Sequence, residues 1–273
     1  MSRIKLIGVD LDGTVFNSMK EITEENKRAF RLCKKRGIAV VPVTGRPFSG
    51  LYEEHKRDIG CDYSINTNGS AVYRLSDNKR LVTHGIDGNK TRYIIDILDR
   101  FDCYYGIFID GFGYLDETML KKELEFRRNT PLYEYIKRTR KPIHNRREFI
   151  SSLNYCDNIY TLADNTRERD RIREALTGIS DIYYTSSIDV DVEIGGNCSK
   201  GATLLELAHM LGIDRAGIMA IGDSGNDLSM LEAAGLAVAM GNSSEEIKSA
   251  ADFITKSCED SGVAYAIEKL VLS

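Results

Sequence analysis

The chain has 273 residues, 42% hydrophobic and 29% charged, with a net charge of −4. That length suggests about two domains, the composition excludes a disordered chain, and the mildly negative balance gives no reason to expect nucleic acid as a partner. No run approaches the roughly 20 apolar residues of a membrane span, "MSRIKLIGVD" lacks a signal core, and the six cysteines show no C-x-x-C spacing. A cytoplasmic protein with reduced, buried thiols is expected, with no membrane contact and no zinc or disulfide framework.

In chain order, residues 4–9 form a short apolar run, read as a buried strand, and it ends in Asp10 and Asp12. Two carboxylates this close repel, and burying either is costly. Thr23 can cap a helix through about Arg36, with Ala29, Phe30 and Cys33 on one face and Gly37 as the stop. "IAVVPV" is the next buried strand, followed by "TGRP" and a helix expected over 47–59, with Pro47 in its first turn. "YSINTNGSAVYR" reads as two short strands joined by a turn at Asn68-Gly69.

The texture then changes. Residues 84–189 are richer in tyrosine, arginine and aspartate, with strand-like stretches at 104–109, 158–163 and 181–185 and helical patterns at 88–101 and 165–177. They are read as a second, α+β domain inserted into the first, which then comprises 1–83 and 190–273. The basic run "KRTRK" at 137–141 is either a solvated face or an attractor of an anionic substrate. After it the α/β alternation resumes: a helix at 199–212, a strand at 217–221 leading into "GDSGND", and further helices and strands to the end.

In open parallel sheets, ligands bind beyond the carboxyl ends of the strands. There this chain carries Asp10, Asp12, Thr44, Gly45, Arg46, Asp223, Asn226 and Asp227, with Lys200 near the start of a helix. Residues two apart on an extended strand point the same way, so Asp10 and Asp12 can share a cleft. Clustered acids invite a hard, oxygen-seeking cation, and Mg²⁺ typically keeps water and substrate phosphate beside one or two carboxylates. The Thr44 hydroxyl, the following backbone N–H and the Lys200 ammonium are donors for phosphate oxygens, and a carboxylate can attack phosphorus. Each residue has a plainer reading. Asp10 and Asp12 could begin a turn, Thr44 could be packed, and Lys200 could lie on the surface. Asp223, Ser224 or Asn226 could cap a helix, and Asp227 could complement a helix dipole.

Taken together, the motifs Asp10-Leu-Asp12-Gly-Thr14, Thr44-Gly45-Arg46-Pro47, Lys200-Gly201 and Gly222-Asp223-Ser-Gly-Asn226-Asp227 resemble the haloacid-dehalogenase (HAD) superfamily of phosphatases. "AVAMGNS" at 237–243 and the position of the insert are similar to its Cof-type group with a C2, or IIB-like, cap. The resemblance implies a Rossmann-like parallel-sheet α/β core, an inserted α+β cap that selects substrate, and Mg²⁺-dependent hydrolysis of small phosphate esters. It implies that Asp10 is the nucleophile and Asp12 the general acid and then base. The Asp10 carboxylate, the Asp12 backbone carbonyl and Asp223 would hold Mg²⁺. The Leu11 backbone, Thr44, Gly45, Lys200 and Asn226 would contact phosphate, and Asp227 would orient a metal-bound water or Lys200. Arg46 either binds substrate or pairs with a core acid. A phosphomutase of the same superfamily shares the nucleophile and remains open. A phospho-acceptor signalling domain would need roughly half this length, and a nucleotide-binding module lacks its glycine motifs after the first strand. Neither the substrate nor an oligomeric state is specified by the motifs.

Overall fold

A computed structural model describes residues 4–186 and 188–273. Two compact units emerge. One comprises residues up to 45, 51–82 and 199–273, and the other comprises 46–50 and 83–198.

The first unit is built on a parallel five-stranded sheet in the order Phe253–Ile254, Leu236–Ala239, Ile218–Gly222, Leu6–Val9, Ala39–Pro42. Its interior strand Leu6–Val9 is buried on both faces because both are covered. Ile7, Val9, Met219 and Ile221 pack on one side with Phe30 and Cys33 of the helix Glu24–Lys35 and with Val263 and Ile267 near the C-terminus. Leu6, Ile218 and Ala220 pack on the other with Leu204 and Leu207 of the helix Lys200–Met210. Gly8 belongs to that second side, where a Cβ would come 2.7 Å from Leu204 Cδ2, so a side chain there would require Leu204 to shift. The helix Glu24–Lys35 begins as its sequence requires: Thr23 Oγ1 accepts from the Asn26 N–H, and Gly37 turns the chain away at φ 70°.

A second, antiparallel sheet pairs Tyr63–Asn66 with Ala71–Arg74, Asn66 opposite Ala71. The expected helix over 47–59 is shorter than its pattern. The α-helix runs over Glu53–Ile59 only, and Phe48–Gly50 form a separate 3₁₀ turn. The reason is tertiary. Residues 46–50 pack within the other unit, where the Ser49 N–H donates to the Gly111 carbonyl at 3.0 Å.

The other unit carries a six-stranded sheet in the order Ile182–Thr185, Asp191–Gly196, Asn158–Ala163, Cys103–Ile109, Phe112–Asp116, Arg140–Ile143. Helices Gly88–Leu98 and Thr166–Leu176 bury Ile94, Leu98, Ile172 and Leu176 against Ile107, Ile159, Val192 and Ile194 of that sheet. This corrects the boundary read from sequence, which gave 190–198 to the first domain. The strand Asp191–Gly196 is antiparallel to both Asn158–Ala163 and Ile182–Thr185, and Val192 and Ile194 complete this unit's core. The basic run at 137–141 splits: Lys137 and Arg138 end the helix Leu132–Thr139, while the Arg140 guanidinium lies over the rings of Phe108, Tyr135 and Tyr160. All six cysteines are free, five of them buried, and burial pushes the Cys61 and Cys156 thiols up to about 12. No helix among the described residues is long and apolar enough to cross a membrane.

Candidate active site

The sheet of the first unit delivers its acids to one end. The Asp10 N–H continues the ladder past Val9 by donating to the Ile221 carbonyl at 3.0 Å. Side chains alternate along a strand, so Asp10 emerges on the side of Leu6 and Gly8, where the helix Lys200–Met210 packs. Lys200 Nζ there donates to Asp10 Oδ1 and to Asp227 Oδ1, each at 2.6 Å.

That lysine is poorly placed by every local rule. It is the first residue of its helix, a cation at the positive end of the dipole, and its side chain is 0% exposed. Burial by itself lowers the pKa of an ammonium, but Asp10 and Asp227 outweigh it and hold Lys200 protonated with a raised pKa. The carboxylates are the reason it is tolerated.

Asp227 is fully committed. Its Oδ2 accepts from the backbone N–H groups of Asp223 and Ser224 at 2.9 and 3.1 Å, closing a capping box with Ser224, while its Oδ1 takes Lys200. A Cβ on Gly222 would lie 2.5 Å from Asp227 Cβ, so glycine is needed for this approach. Asp223 Oδ1 accepts from Thr14 Oγ1 at 2.9 Å. Burial first, and then the charge of Asp227, push Asp223 up to about 6. Asp10 is raised well above the carboxylate range by burial and by Asp227, partly offset by Lys200.

Carboxylate oxygens of Asp10, Asp223 and Asp227 lie within 4.8 Å of one another. Two raised acids in an all-oxygen cluster are the electrostatic signature of a site that a hard divalent cation would relieve, so these residues fit such an ion. Because Asp227 is held by Lys200 and two N–H groups, Asp10 and Asp223 are the carboxylates suited to hold it.

Asp12 is close enough for its charge to help raise Asp223. Asp12 sits in the turn after the strand, its side chain is 39% exposed, and Lys20 Nζ approaches Asp12 Oδ1 at 2.8 Å. The strand ends at Val9, so Asp12 is placed by the turn rather than by strand alternation. The Leu11 side chain is buried, and its carbonyl accepts from the Phe16 N–H at 2.8 Å. Thr44 is buried, and its N–H donates to Ile65 at 2.9 Å, with Gly45 next in the chain. Asn226 is buried and donates from Nδ2 to Asn68 Oδ1 at 3.2 Å. Arg46 belongs to the other unit, where its guanidinium lies 4.6 Å from the Tyr135 ring centroid.

Near these acids, Thr14 and Asn242 stood inside quoted motifs without a role of their own, and Lys20 and Asn68 had no sequence reading that singled them out for a site. Lys20 looked like any surface lysine, and its left-handed backbone at φ 63° is invisible in one sequence. Asn68 carried a signal, the Asn-Gly pair, that reads as ordinary hairpin chemistry. Asn242 Nδ2 donates to the Gly13 carbonyl at 2.9 Å and Oδ1 accepts from Cys258 N–H at 2.9 Å, pinning the loop after Asp12 from a segment more than two hundred positions away.

Comparison with known proteins identifies the family of the chain. Residues 7–267 match the family model described as haloacid dehalogenase-like hydrolase. Phosphatase YwpJ of Bacillus subtilis is 30% identical over 287 residues, covering 98% of this chain and 100% of that protein. The 5-amino-6-(5-phospho-D-ribitylamino)uracil phosphatase YwtE of the same organism is 30% identical over 291 residues, covering 98% of each chain. The solved structure of a haloacid dehalogenase-like hydrolase from B. subtilis superposes with a TM-score of 0.86 at 30% identity, covering 98% of this chain and 100% of that one. This chain belongs to the haloacid dehalogenase-like hydrolase family, among its phosphoric monoester hydrolases.

Proposed function

We propose that the protein is a Mg²⁺-dependent phosphatase of small phosphorylated metabolites, sugar phosphates or phosphorylated cofactors, that works through an aspartyl-phosphate on Asp10. The observation that carries this reading is the buried Lys200 ammonium bridging Asp10 and Asp227 beside Asp223. It keeps a carboxylate in place at the end of a parallel strand while supplying positive charge for an incoming phosphate.

In this mechanism Asp10 attacks phosphorus and the bond to the ester oxygen breaks. Asp12 gives that oxygen its proton. Water then attacks phosphorus, Asp12 takes the water's proton, and the bond to Asp10 breaks to release inorganic phosphate. Lys200, Thr44, Asn226, Gly45 and the Leu11 backbone neutralise and orient the phosphoryl oxygens. Asp10, Asp223 and the Asp12 carbonyl would hold Mg²⁺, which supplies charge neutralisation when bound. The second unit selects the leaving group, and phosphorylated ribityl or sugar compounds are the first substrates to test, given the names of relatives such as YwtE.

The test is to quench Asp12→Asn with borohydride during turnover of p-nitrophenyl phosphate. An acyl phosphate is reduced to the alcohol, so homoserine should replace Asp10 in the peptide mass spectrum. Phosphate release without any modification at position 10 would overturn the covalent reading. Isomerised sugar phosphate in place of inorganic phosphate would assign the protein as a mutase.

A further inference from the structure

The turn after the strand Tyr63–Asn66 is strained where a hairpin does not require it. Thr67, Asn68 and Gly69 have successive φ values of 49°, 55° and 103°. Glycine accepts this region freely and asparagine tolerates it, but a β-branched threonine does not. Backbone strain of this kind is costly and persists where the surroundings over-determine it.

The surroundings here are three separate segments of the phosphate pocket. The Asn68 N–H donates to the Thr44 carbonyl at 3.1 Å. Asn68 Oδ1 accepts from Asn226 Nδ2 at 3.2 Å. The Gly69 carbonyl accepts from Thr203 Oγ1 at 2.8 Å, in the helix that begins with Lys200. A Cβ on Gly69 would stand 2.5 Å from the carbonyl of Ser199, which caps that helix. Thr67 and Asn68 are buried. Asn226 is fixed at its other end as well, since its Oδ1 accepts from Ser224 Oγ at 2.8 Å. An amide held by an acceptor at nitrogen and a donor at oxygen cannot flip without losing both bonds.

We infer that Asn68 is a positioning residue for the phosphate pocket: its side-chain oxygen orients the Asn226 amide as a donor, and its backbone N–H fixes Thr44. The inference rests on the reading of Thr44 and Asn226 as phosphate contacts given above. The left-handed turn is what lets one residue reach both, because it aims the backbone N–H at one strand end and the side chain at the loop that follows another.

Glycine separates the two roles. Asn68→Gly keeps the left-handed backbone and the N–H to Thr44 but deletes the amide, so it is expected to fold, which a thermal unfolding scan verifies. Asn68→Ser, polar but too short to reach Asn226, is the second variant. The measurements are kcat and KM for p-nitrophenyl phosphate and the competitive Ki of inorganic phosphate, for wild type, each Asn68 variant, Asn226→Ala and the double variant.

Loss of one hydrogen bond that orients the donor should lower kcat/KM and raise the phosphate Ki about tenfold in Asn68→Gly and Asn68→Ser. In the Asn226→Ala background the same change should cost less than about twofold, because the amide it orients is gone. Wild-type kinetics in both Asn68 variants would overturn the inference. So would an equal loss in both backgrounds, which is the behaviour of a purely structural residue. An unchanged phosphate Ki in Asn226→Ala would overturn the phosphate-pocket reading itself, and the inference with it.

Discussion

Lys20 Nζ lies 2.8 Å from Asp12 Oδ1, so the two opening aspartates, although neighbours in sequence, are paired with different lysines. Asp10 is buried against Lys200, while Asp12 is in a part-exposed pair at the loop. This division predicts different consequences for the same substitution. Asp10→Asn should leave hydrolysis at background. Asp12→Asn should cost about 10²–10⁴-fold on sugar phosphates, the typical worth of a general acid. On p-nitrophenyl phosphate the loss should be smaller, because that leaving group departs without a proton. Equal losses of kcat on good and poor leaving groups would remove the acid role from Asp12.

Lys200 bridges Asp10 and Asp227 through a buried ion pair to each. Removing one partner of a buried ion pair is expected to cost about 3–5 kcal/mol, because the remaining charges are uncompensated. Lys200→Met should therefore be inactive and strongly destabilised at pH 8. At pH 5 the orphaned carboxylates can take up protons, so the difference from wild type in urea unfolding should shrink. A destabilisation independent of pH would argue that packing, not charge, sets the cost.

Asp223 provides a pH signature for the metal-free protein. Its folded pKa of about 6 is above the ordinary aspartate value, so the folded state holds a proton that the unfolded state has lost. Its contribution is therefore full below about pH 4 and is lost as pH rises through about 6. Thermal midpoints measured in chelator should fall between pH 5 and pH 7, and Asp223→Asn should flatten that fall and raise the midpoint at pH 7.5. A wild-type midpoint that rises across this interval would contradict the assignment.

The same crowding of charge predicts the response to metal. Excess chelator should abolish hydrolysis and added Mg²⁺ should restore it. Binding to the folded state alone raises stability by about 2.7 kcal/mol at a hundredfold excess over Kd. The thermal midpoint at pH 7.5 should accordingly climb with Mg²⁺ in wild type and stay flat in Asp223→Asn. Full activity in chelator would exclude a metal requirement.

What could be read in advance was whatever local physics writes into consecutive residues. The run Leu6–Val9 is apolar on both faces because a parallel strand is covered on both. Thr23 and Gly37 bracket a helix because capping is a local hydrogen-bond problem. The acids at the strand ends were legible for a related reason: a chain does not place Asp10 and Asp223 after buried strands unless something offsets them. Partnerships are not local, and only the tertiary structure assigned them. It paired Asp12 with Lys20 and Asp10 with Lys200, although both aspartates close the same short stretch. It moved Asp191–Gly196 out of the first unit, because strand pairing with Asn158–Ala163 and Ile182–Thr185 outweighs proximity in sequence to Lys200. It also turned Asn68, by sequence a hairpin residue, into a contact of Thr44 and Asn226, since a left-handed backbone and the neighbours it reaches exist only once the chain is folded.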